Sequence, residues 1–392
     1  MACRVKLVIE GEIATTHIIE RLVAQALGGA AHVSKIMLAG FLPDHLRGGE
    51  MPILVRIGDP VGQPMLKWMI ERGLPFIYYI DDNFWELEGR TPLARFYQSR
   101  GVRTMLALAI QHAGLVIVNS ALLGKYIEEH LGVRPLVLPA PFDFSLVDSF
   151  EAPHRQDEQI RIGFAGSPTR APDFLEVTPA LQRILADFPQ TELHFFGYLP
   201  DVLRDHPRVH FTGHVADYES FIRLKRRTNL DIGLAPMAPV KSNLYKTNNK
   251  YREYGALGVA GVYADTHPYK DSVKHAETGF LVQQTADGWY EGIAELIRDP
   301  QLRKRIAERA CSDVRRHYAQ DVVALQWRDV LLAAADKWQI ALLTTTISER
   351  DHLSIKRATR MAVLRIRLRR ALLRCSRHVH ERTRSLLLRR FV

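Results

Sequence analysis

The sequence predicts an α/β protein with two domains, each containing a parallel sheet that helices cover on both faces. Short apolar runs typical of buried strands alternate along the chain with helical stretches, and this alternation favours such a sheet. The length of 392 residues is enough for two domains of ordinary size. We expect a first domain over 1–140, a linker over 141–159, a second domain over 160–346 and a tail over 347–392.

The composition is that of a globular protein, with 47% hydrophobic and 24% charged residues. The three cysteines lie far apart and have neither a disulfide framework nor metal-ligand spacing, which fits a reducing cytoplasm. The first residues, MACRVKLVIEGE, lack the apolar core of a signal peptide, and no run reaches the roughly 18–20 apolar residues of a membrane span. We therefore expect a cytoplasmic protein. No cluster of His, Asp or Glu has convincing metal-ligand spacing either, so we expect neither a metal nor another cofactor.

The net charge of +10 is concentrated in the tail. Residues 350–392 contain 14 Arg or Lys against two acids, a net +12, so the other 349 residues sum to −2. Met361, Leu364, Leu368 and Leu372 recur at helical spacing, and most of the arginines fall elsewhere around the helix. Such a basic amphipathic helix favours binding to an anionic membrane surface.

A disordered basic tail and a nucleic-acid-binding tail are the alternatives for this segment. Its one aromatic residue, Phe391, offers little for base stacking, and the rest of the chain is close to neutral. We therefore expect no specific nucleic-acid partner.

In the first domain, two acids follow a predicted strand directly. The run FIYYIDDNFWEL at 76–87 leads from apolar residues into Asp81 and Asp82. Ligands of open α/β sheets bind at the carboxyl ends of strands, so these acids are candidate catalytic residues. The alternative is a structural role in a turn or a helix cap.

The second domain opens with a strand that reaches Gly166 and is followed by Ser167, Thr169 and Arg170. Small residues, hydroxyls and a guanidinium at a strand-to-helix junction bind anions, together with backbone N–H groups. The sequence is neither a P-loop nor G-x-G-x-x-G, and a tight structural turn is the alternative.

The most informative stretch is 241–282, which predicts a helix, a turn at Gly258 and a buried strand. Lys246, Lys250 and Glu253 are spaced by four and three residues, so we expect them on one helical face. Lysines offset phosphate charge, and a carboxylate accepts hydrogen bonds from ribose hydroxyls, so this face suits a nucleotide diphosphate. A solvated charged face is the alternative.

This stretch, read as KTNNKYREYGALGVAGVYAD, then HPYKDSV and AETGFLV, resembles the donor-binding segment of glycosyltransferase family 4 and its bacterial polysaccharide relatives. The resemblance implies the GT-B fold, in which two Rossmann-like domains face a cleft and the final helices cross back onto the first domain. It also implies metal-independent transfer of a sugar, in cell-surface polysaccharide biosynthesis, from a nucleotide-diphosphate sugar to a glycan or lipid-linked acceptor. Such an acceptor would place the protein peripherally on the inner face of the membrane.

The resemblance also implies roles for the candidate residues. Glu253 would bind the ribose, and Lys250, Arg170 and the Ser167–Thr169 turn would bind the diphosphate. Asp81 stands where relatives often have a histidine near the reacting sugar. Whether Asp81 acts as a base, orients the acceptor or only shapes the loop stays open.

One position departs from the family pattern, which commonly has a glutamate eight residues before the ribose-binding one. That position is Tyr245, so the sugar contact is absent or supplied by Asn243 or Lys246. The donor sugar and the stereochemistry therefore stay open. A non-catalytic glycosyltransferase-like protein that binds glycan or lipid at the membrane surface is the alternative function.

Overall fold

The computed structural model describes residues 3–29, 31–150, 155–215 and 217–388, with the backbone alone over 369–388. The side chains of Leu372 and of the last tail arginines, and Phe391, therefore lie outside the described residues.

Two parallel six-stranded sheets confirm the predicted fold class. The first has the order β2-β1-β3-β4-β5-β6 and the second β12-β11-β10-β7-β8-β9. The strands are β1 (Arg4–Ile9), β2 (His32–Met37), β3 (Met51–Val55), β4 (Ile77–Tyr79), β5 (Leu115–Val118), β6 (Leu136–Val137), β7 (Ile160–Ala165), β8 (Thr191–Phe196), β9 (Val209–Thr212), β10 (Ile232–Ala235), β11 (Ala260–Ala264) and β12 (Phe280–Val282).

Helices connect the strands and cover both sheets. They are α1 (Ala14–Leu27), α2 (Gln63–Glu71), α3 (Pro92–Gln98), α4 (Arg100–His112), α5 (Ala121–Leu131), α6 (Ser145–Asp148), α7 (Val177–Asp187), α8 (Tyr218–Thr228), α9 (Asn249–Leu257), α10 (Tyr269–Ser272), α11 (Ala286–Arg298), α12 (Pro300–Tyr318), α13 (Gln320–Thr344) and α14 (Glu349–Leu388). Short 3-10 turns include Phe84–Glu86, Pro168–Phe174 and Lys241–Tyr245.

The strand order fixes where each sheet can bind a ligand. In the second sheet the order in which successive strands are added reverses between β7 and β10, which gives the Rossmann order. In the first sheet it reverses between β1 and β3, as in flavodoxin-like sheets. Ligands of such sheets bind at these switch points, outside the carboxyl ends of the strands.

Local signals in the sequence account for several helix ends, including the predicted one at Gly258. Ser120 caps α5, where its side chain accepts a hydrogen bond from the Leu123 N–H at 3.4 Å. Gly132 and Gly258 end α5 and α9 in the left-handed conformation, both with φ of 69°.

Helix α13 follows the second domain in sequence but packs in the core of the first, against α1. Trp327 is fully buried there, with its ring centroid 5.9 Å from that of Tyr79. Trp338, about three turns further along the same face of the helix, is also buried and donates from Nε1 to the Gly49 carbonyl at 3.1 Å. The chain therefore passes back across the interdomain boundary between α12 and α13.

The first part of α14 packs on the first domain instead of extending freely. Asp351 is buried and accepts hydrogen bonds from Trp68 Nε1 at 3.1 Å and Arg72 Nη2 at 2.6 Å. From Met361 onward, by contrast, the apolar side chains of Met361, Leu364 and Leu368 are about half exposed.

Within the described part of the chain, no single helix has the length and apolarity to cross a membrane. Taken together, α13 and residues 349–368 of α14 have sufficient length and apolarity, but the two helices meet at a bend of 112°.

We expect Trp327→Ala to lower the free energy of unfolding by about 3–5 kcal/mol, because it removes a large buried ring from the contact of α13 with the first domain. Leu325→Ala on the same helix is the control, since Leu325 is 67% exposed. Urea unfolding measures both variants. A loss no larger for Trp327→Ala than for Leu325→Ala would contradict the packing of α13.

Candidate functional site

The carboxyl ends of the two sheets face a cleft between the domains. A cavity of about 480 Å³ lies between the loop after β1, which includes Glu12, and the second-domain residues Gly166, Ser167, Lys250 and Glu253. An adjoining cavity of about 100 Å³ is lined from the first domain by Thr15 and Asp81 and from the second by Arg252 and Glu253. Glu253 lines both cavities, so it lies where the two halves of the cleft meet.

The turn after β7 lies close to the end of β8. Gly166 donates its N–H to the Phe196 carbonyl at 3.0 Å. Gly197 has φ of 81°, and a Cβ there would lie 2.6 Å from the Gly166 oxygen, so only glycine permits this approach. Ser167 and Thr169 are exposed beyond this pair, with their hydroxyl oxygens 2.6 Å apart. The turn therefore presents backbone and hydroxyl groups to the larger cavity.

Arg170 joins the two loops of the second-domain switch point. Its Nε lies 2.6 Å from an oxygen of the buried Asp173, and its Nη2 donates to the Pro236 carbonyl after β10 at 3.1 Å. Its Nη1 donates to Asn243 Oδ1 at 3.1 Å. This ion pair and these two hydrogen bonds fix the β7 turn against the loop after β10.

Lys246 does not share a helical face with Lys250 and Glu253, and that expectation is wrong. Helix α9 begins only at Asn249, after a 3-10 turn that ends at Tyr245, and Lys246 has extended backbone angles of φ −68° and ψ 162°. Its Nζ instead donates across the cleft to Asp82 Oδ1 of the first domain at 2.6 Å. The interdomain ion pair thus directs Lys246 away from the face of α9.

Glu253 is held by two ammonium groups. Its Oε2 accepts from Lys225 Nζ at 2.6 Å and from Lys250 Nζ at 3.2 Å, and the Lys225 side chain is 0% exposed. Burial alone would raise the pKa of Glu253, but the two ammonium groups outweigh it and lower the pKa to about 2. Burial lowers the pKa of Lys225 to about 8 despite the attraction of Glu253. Glu253 is therefore ionised and fixed in position at neutral pH.

Asp81 and Asp82 are linked by Arg56, which follows β3 as they follow β4. Arg56 Nε lies 3.2 Å from Asp81 Oδ1, and Arg56 Nη2 lies 3.2 Å from Asp82 Oδ2. Thr15 donates its hydroxyl to Asp81 Oδ2 at 2.8 Å. Arg56 takes an unfavourable φ of 57°, stabilised by its N–H bond to the Tyr79 carbonyl at 2.8 Å.

The two neighbouring aspartates have opposite shifts in acidity. Burial raises the pKa of Asp81. Burial also acts to raise the pKa of Asp82, but Lys246 and Arg56 outweigh it, so that pKa is lowered. Pairs of carboxyl groups driven apart in this way are suited to different roles in acid–base chemistry.

No protein-family model and no curated protein matches the sequence, but solved structures match it. The sucrose-phosphate synthase of Thermosynechococcus elongatus has a TM-score of 0.63 at 14% identity, covering 84% of this chain and 100% of that one. HepE of Anabaena, in complex with UDP and glucose, has a TM-score of 0.60 at 15% identity, covering 84% and 100%. The pneumococcal O-GlcNAc transferase GtfA, in complex with UDP and GlcNAc, has a TM-score of 0.54 at 11% identity, covering 74% and 58%.

These proteins are GT-B glycosyltransferases. The chain has the GT-B fold. The expectation drawn from the donor-segment resemblance is confirmed at this level.

The GT-B cleft brings together Asp81, Gly166, Ser167, Lys250 and Glu253 as lining residues. Asp82 and Lys246 meet across it, and Thr169 and Arg170 lie in the turn behind Ser167.

Sequence reasoning missed several polar residues of the GT-B cleft. Arg56 had a usable signal, because it follows the apolar run MPILV directly, as Asp81 follows FIYYI. Lys225 had none, because it lies in the run LKRRT, whose pattern is that of a solvated helix face. Arg252 is buried and donates to the Pro141 carbonyl at 2.7 Å, a contact with the predicted linker that lies 111 residues away in sequence.

We expect Lys225→Met to lower the free energy of unfolding by about 3 kcal/mol at pH 7, because Glu253 then loses its buried partner. The double variant Lys225→Met/Glu253→Leu should recover most of this loss, since neither buried charge remains. Urea unfolding at pH 7 measures both. Lys125→Met, at a side chain 69% exposed on α5, is the control, and an equal loss there would contradict the pairing.

The same pair predicts an acid dependence of stability. The pKa of Glu253 is about 2 in the folded protein and about 4.3 in an unfolded chain. Its stabilising contribution is therefore complete above about pH 5 and is lost as the pH falls towards 2. Lys225→Met should bring the folded pKa of Glu253 closer to its unfolded value, so the variant should lose less stability than wild type as the pH falls from 7 to 2 in thermal melts. Coincident pH profiles would show that Lys225 does not set the acidity of Glu253.

Proposed function

We propose that the protein is a glycosyltransferase that moves a sugar from a nucleotide-diphosphate sugar to a glycan or lipid-linked acceptor in cell-surface polysaccharide biosynthesis. The observation that carries this is the ionised, fixed carboxylate of Glu253 beside the Gly166–Ser167 turn, at the carboxyl end of a Rossmann-type sheet. The likeness to GT-B proteins solved with UDP and a sugar supports the same class of donor.

The larger cavity is assigned to the donor. Its volume of about 480 Å³ is within the range of small-molecule sites. Glu253 would accept hydrogen bonds from the ribose hydroxyls, because a charged acceptor makes stronger bonds than a neutral one. The Gly166–Ser167 turn, Thr169 and Lys250 would bind the diphosphate, and Arg170 would hold the turn in place.

The reacting centre is assigned to the charge cluster at the end of β4. The bond between the anomeric carbon and the diphosphate oxygen breaks, and an acceptor oxygen bonds to that carbon. The proton of the acceptor hydroxyl would pass to Asp81, whose raised pKa makes it a stronger base than an ordinary aspartate. The departing diphosphate would be stabilised by Lys250 and by Lys246, which pairs with Asp82 in the structure. These side chains would supply the positive charge that a metal ion supplies elsewhere.

The acceptor side is assigned to an aromatic cluster at the edge of the cleft. Tyr126 has its ring centroid 6.1 Å from that of Trp85 and 5.3 Å from that of Tyr245 of the second domain. Tyr126 also donates its hydroxyl to Glu86 at 3.3 Å. Half-buried rings beside a carboxylate offer a sugar ring both an apolar face and a hydrogen-bond acceptor. Tyr245 would thus contribute to acceptor binding at the position where the resembled family commonly has glutamate.

We expect one nucleotide among UDP, GDP, dTDP, ADP and CMP to raise the thermal midpoint of the protein by mass action. Lys250→Met should weaken that nucleotide about tenfold, equivalent to about 1.4 kcal/mol, because a phosphate contact is lost. Lys241→Met, at an exposed position before α9, is the control and should bind as wild type does. Glu253→Ala is a poorer probe, since it would also leave Lys225 buried and unpaired.

The donor site would be contradicted if no nucleotide shifted the thermal midpoint, or if Lys250→Met bound the nucleotide as tightly as wild type does. Nucleotide binding without release of the diphosphate from any nucleotide sugar, in the presence of glycan and lipid-linked acceptors, would favour the non-catalytic alternative.

A peripheral position on the cytoplasmic face of the membrane is the remaining part of the proposal. Met361, Leu364 and Leu368 lie on one side of α14 and are about half exposed, and Arg357, Arg360, Arg365 and Arg367 are exposed around them. Apolar side chains flanked by arginines suit insertion at an anionic bilayer surface. A lipid-linked acceptor would then lie on the same surface as the enzyme.

We expect deletion of 361–392 to lower sedimentation with phosphatidylserine vesicles, because it removes the half-exposed apolar residues of α14 and the arginines around them. The deletion also removes Val363 and Ile366, which pack on the first domain, but leaves the Asp351 contacts intact. Binding of the full chain should fall steeply between 0.05 and 0.5 M salt, since screening weakens attraction between exposed charges, with the Debye length about 10 Å at 0.1 M. Vesicles of neutral phosphatidylcholine are the control. Unchanged sedimentation after the deletion would remove α14 as the membrane contact.

A further inference from the structure

We propose that Glu192, His194 and His210 form a binding site for a divalent transition metal, with Zn²⁺ as the natural occupant. The three side chains lie within strands β8 and β9 of the second sheet. The GT-B cleft is lined instead by residues that follow these strands, including Gly197 and Gly213. The metal site is therefore distinct from the proposed donor site and does not depend on it.

Sheet register brings the three ligands together. β8 and β9 are parallel neighbours in which His194 pairs with His210, so the two imidazoles stand side by side on one face. Glu192 is two residues before His194 on the same strand and therefore projects from the same face. Three ligands on a paired backbone are fixed more rigidly than ligands on loops.

The distances between the ligand atoms are close to those around a tetrahedral metal. His194 Nε2 lies 3.3 Å and His210 Nε2 lies 3.8 Å from Glu192 Oε2, and ligand atoms of all three residues lie within 4.8 Å of one another. Bonds of about 2.0–2.1 Å in tetrahedral geometry place ligand atoms roughly 3.3 Å apart. The cluster is thus nearly preformed, and small side-chain rotations would complete it.

The chemistry of the ligands selects the metal. Two imidazoles and one carboxylate suit Zn²⁺, whereas Mg²⁺ and Ca²⁺ prefer sites made of oxygen ligands. Glu192 and His194 are 25% and 16% exposed, and His210 is 49% exposed, so the ion has an entry path and water can fill a fourth position.

Arg161 is the cation that opposes such a site. Its Nε lies 3.7 Å from Glu192 Oε2, but its other nitrogens donate to Asp157 Oδ2 at 2.7 Å and to the Thr228 carbonyl at 3.1 Å. Arg161 therefore makes an ion pair with Glu192 without a hydrogen bond, and its charge weakens the attraction of the cluster for a metal ion. Arg161→Gln should accordingly tighten Zn²⁺ binding.

The site would join β9, the last strand of the sheet, to β8. A metal that binds the folded protein alone raises its stability by mass action. We therefore expect Zn²⁺ to raise the thermal midpoint of the second domain without changing nucleotide binding in the cleft.

The test is a titration of the full chain, first freed of metal with a chelator, with Zn²⁺ and with Co²⁺. We expect one equivalent of Co²⁺ to produce the visible absorption of a tetrahedral complex, Zn²⁺ to displace it, and Mg²⁺ to have no effect. His210→Ala should weaken Zn²⁺ at least tenfold, and His112→Ala, at an exposed position on α4, should not. Glu192→Gln is the conservative second variant, with folding checked by circular dichroism. The site would be overturned if Co²⁺ gave no saturable spectrum, or if His210→Ala and Glu192→Gln bound the metal as tightly as wild type does.

Discussion

The pairing of buried charge across the interdomain cleft is the constraint on which the arrangement of the site depends. A charge removed from water is stable only with a partner, so each cleft carboxylate is matched by a cation. Arg56 and Lys246 hold Asp81 and Asp82, and Lys225 and Lys250 hold Glu253. Because Lys246 belongs to the second domain and Asp82 to the first, the first of these networks also sets how the domains meet.

The two sheets and the crossing helix make this pairing possible. Each sheet places its switch point at the cleft, so polar residues that follow different strands meet there. Helix α13 returns to the first domain and buries Trp327 against the sheet that carries Asp81. The chain therefore joins the domains twice, through the segment before β7 and through α12 and α13.

Most of the fold follows from local patterns, whereas much of the site does not. Apolar runs are local signals that predict the strands, and Gly258 predicts the end of α9; Ser120, which caps α5, is a signal of the same kind. The position of Asp81 and Asp82 follows from the strand-end rule alone. The spacing of four residues places Lys246 on the face of α9 only if the helix already includes it. The sequence has no local signal for the 3-10 turn that precedes α9 and leaves Lys246 outside the helix. Lys225 and the metal-ligand cluster depend on contacts between separate elements; His210 comes sixteen residues after His194, and only sheet register brings them together.

A crystal structure of the chain with the nucleoside diphosphate that raises its thermal midpoint most would test the donor site directly. We expect the ribose hydroxyls within hydrogen-bond distance of Glu253 and the phosphates against Gly166, Ser167 and Lys250. A nucleotide bound elsewhere, for example in the groove lined by Arg226, Arg303 and Arg315 on the second domain, would contradict the assignment of the cleft as the site of sugar transfer.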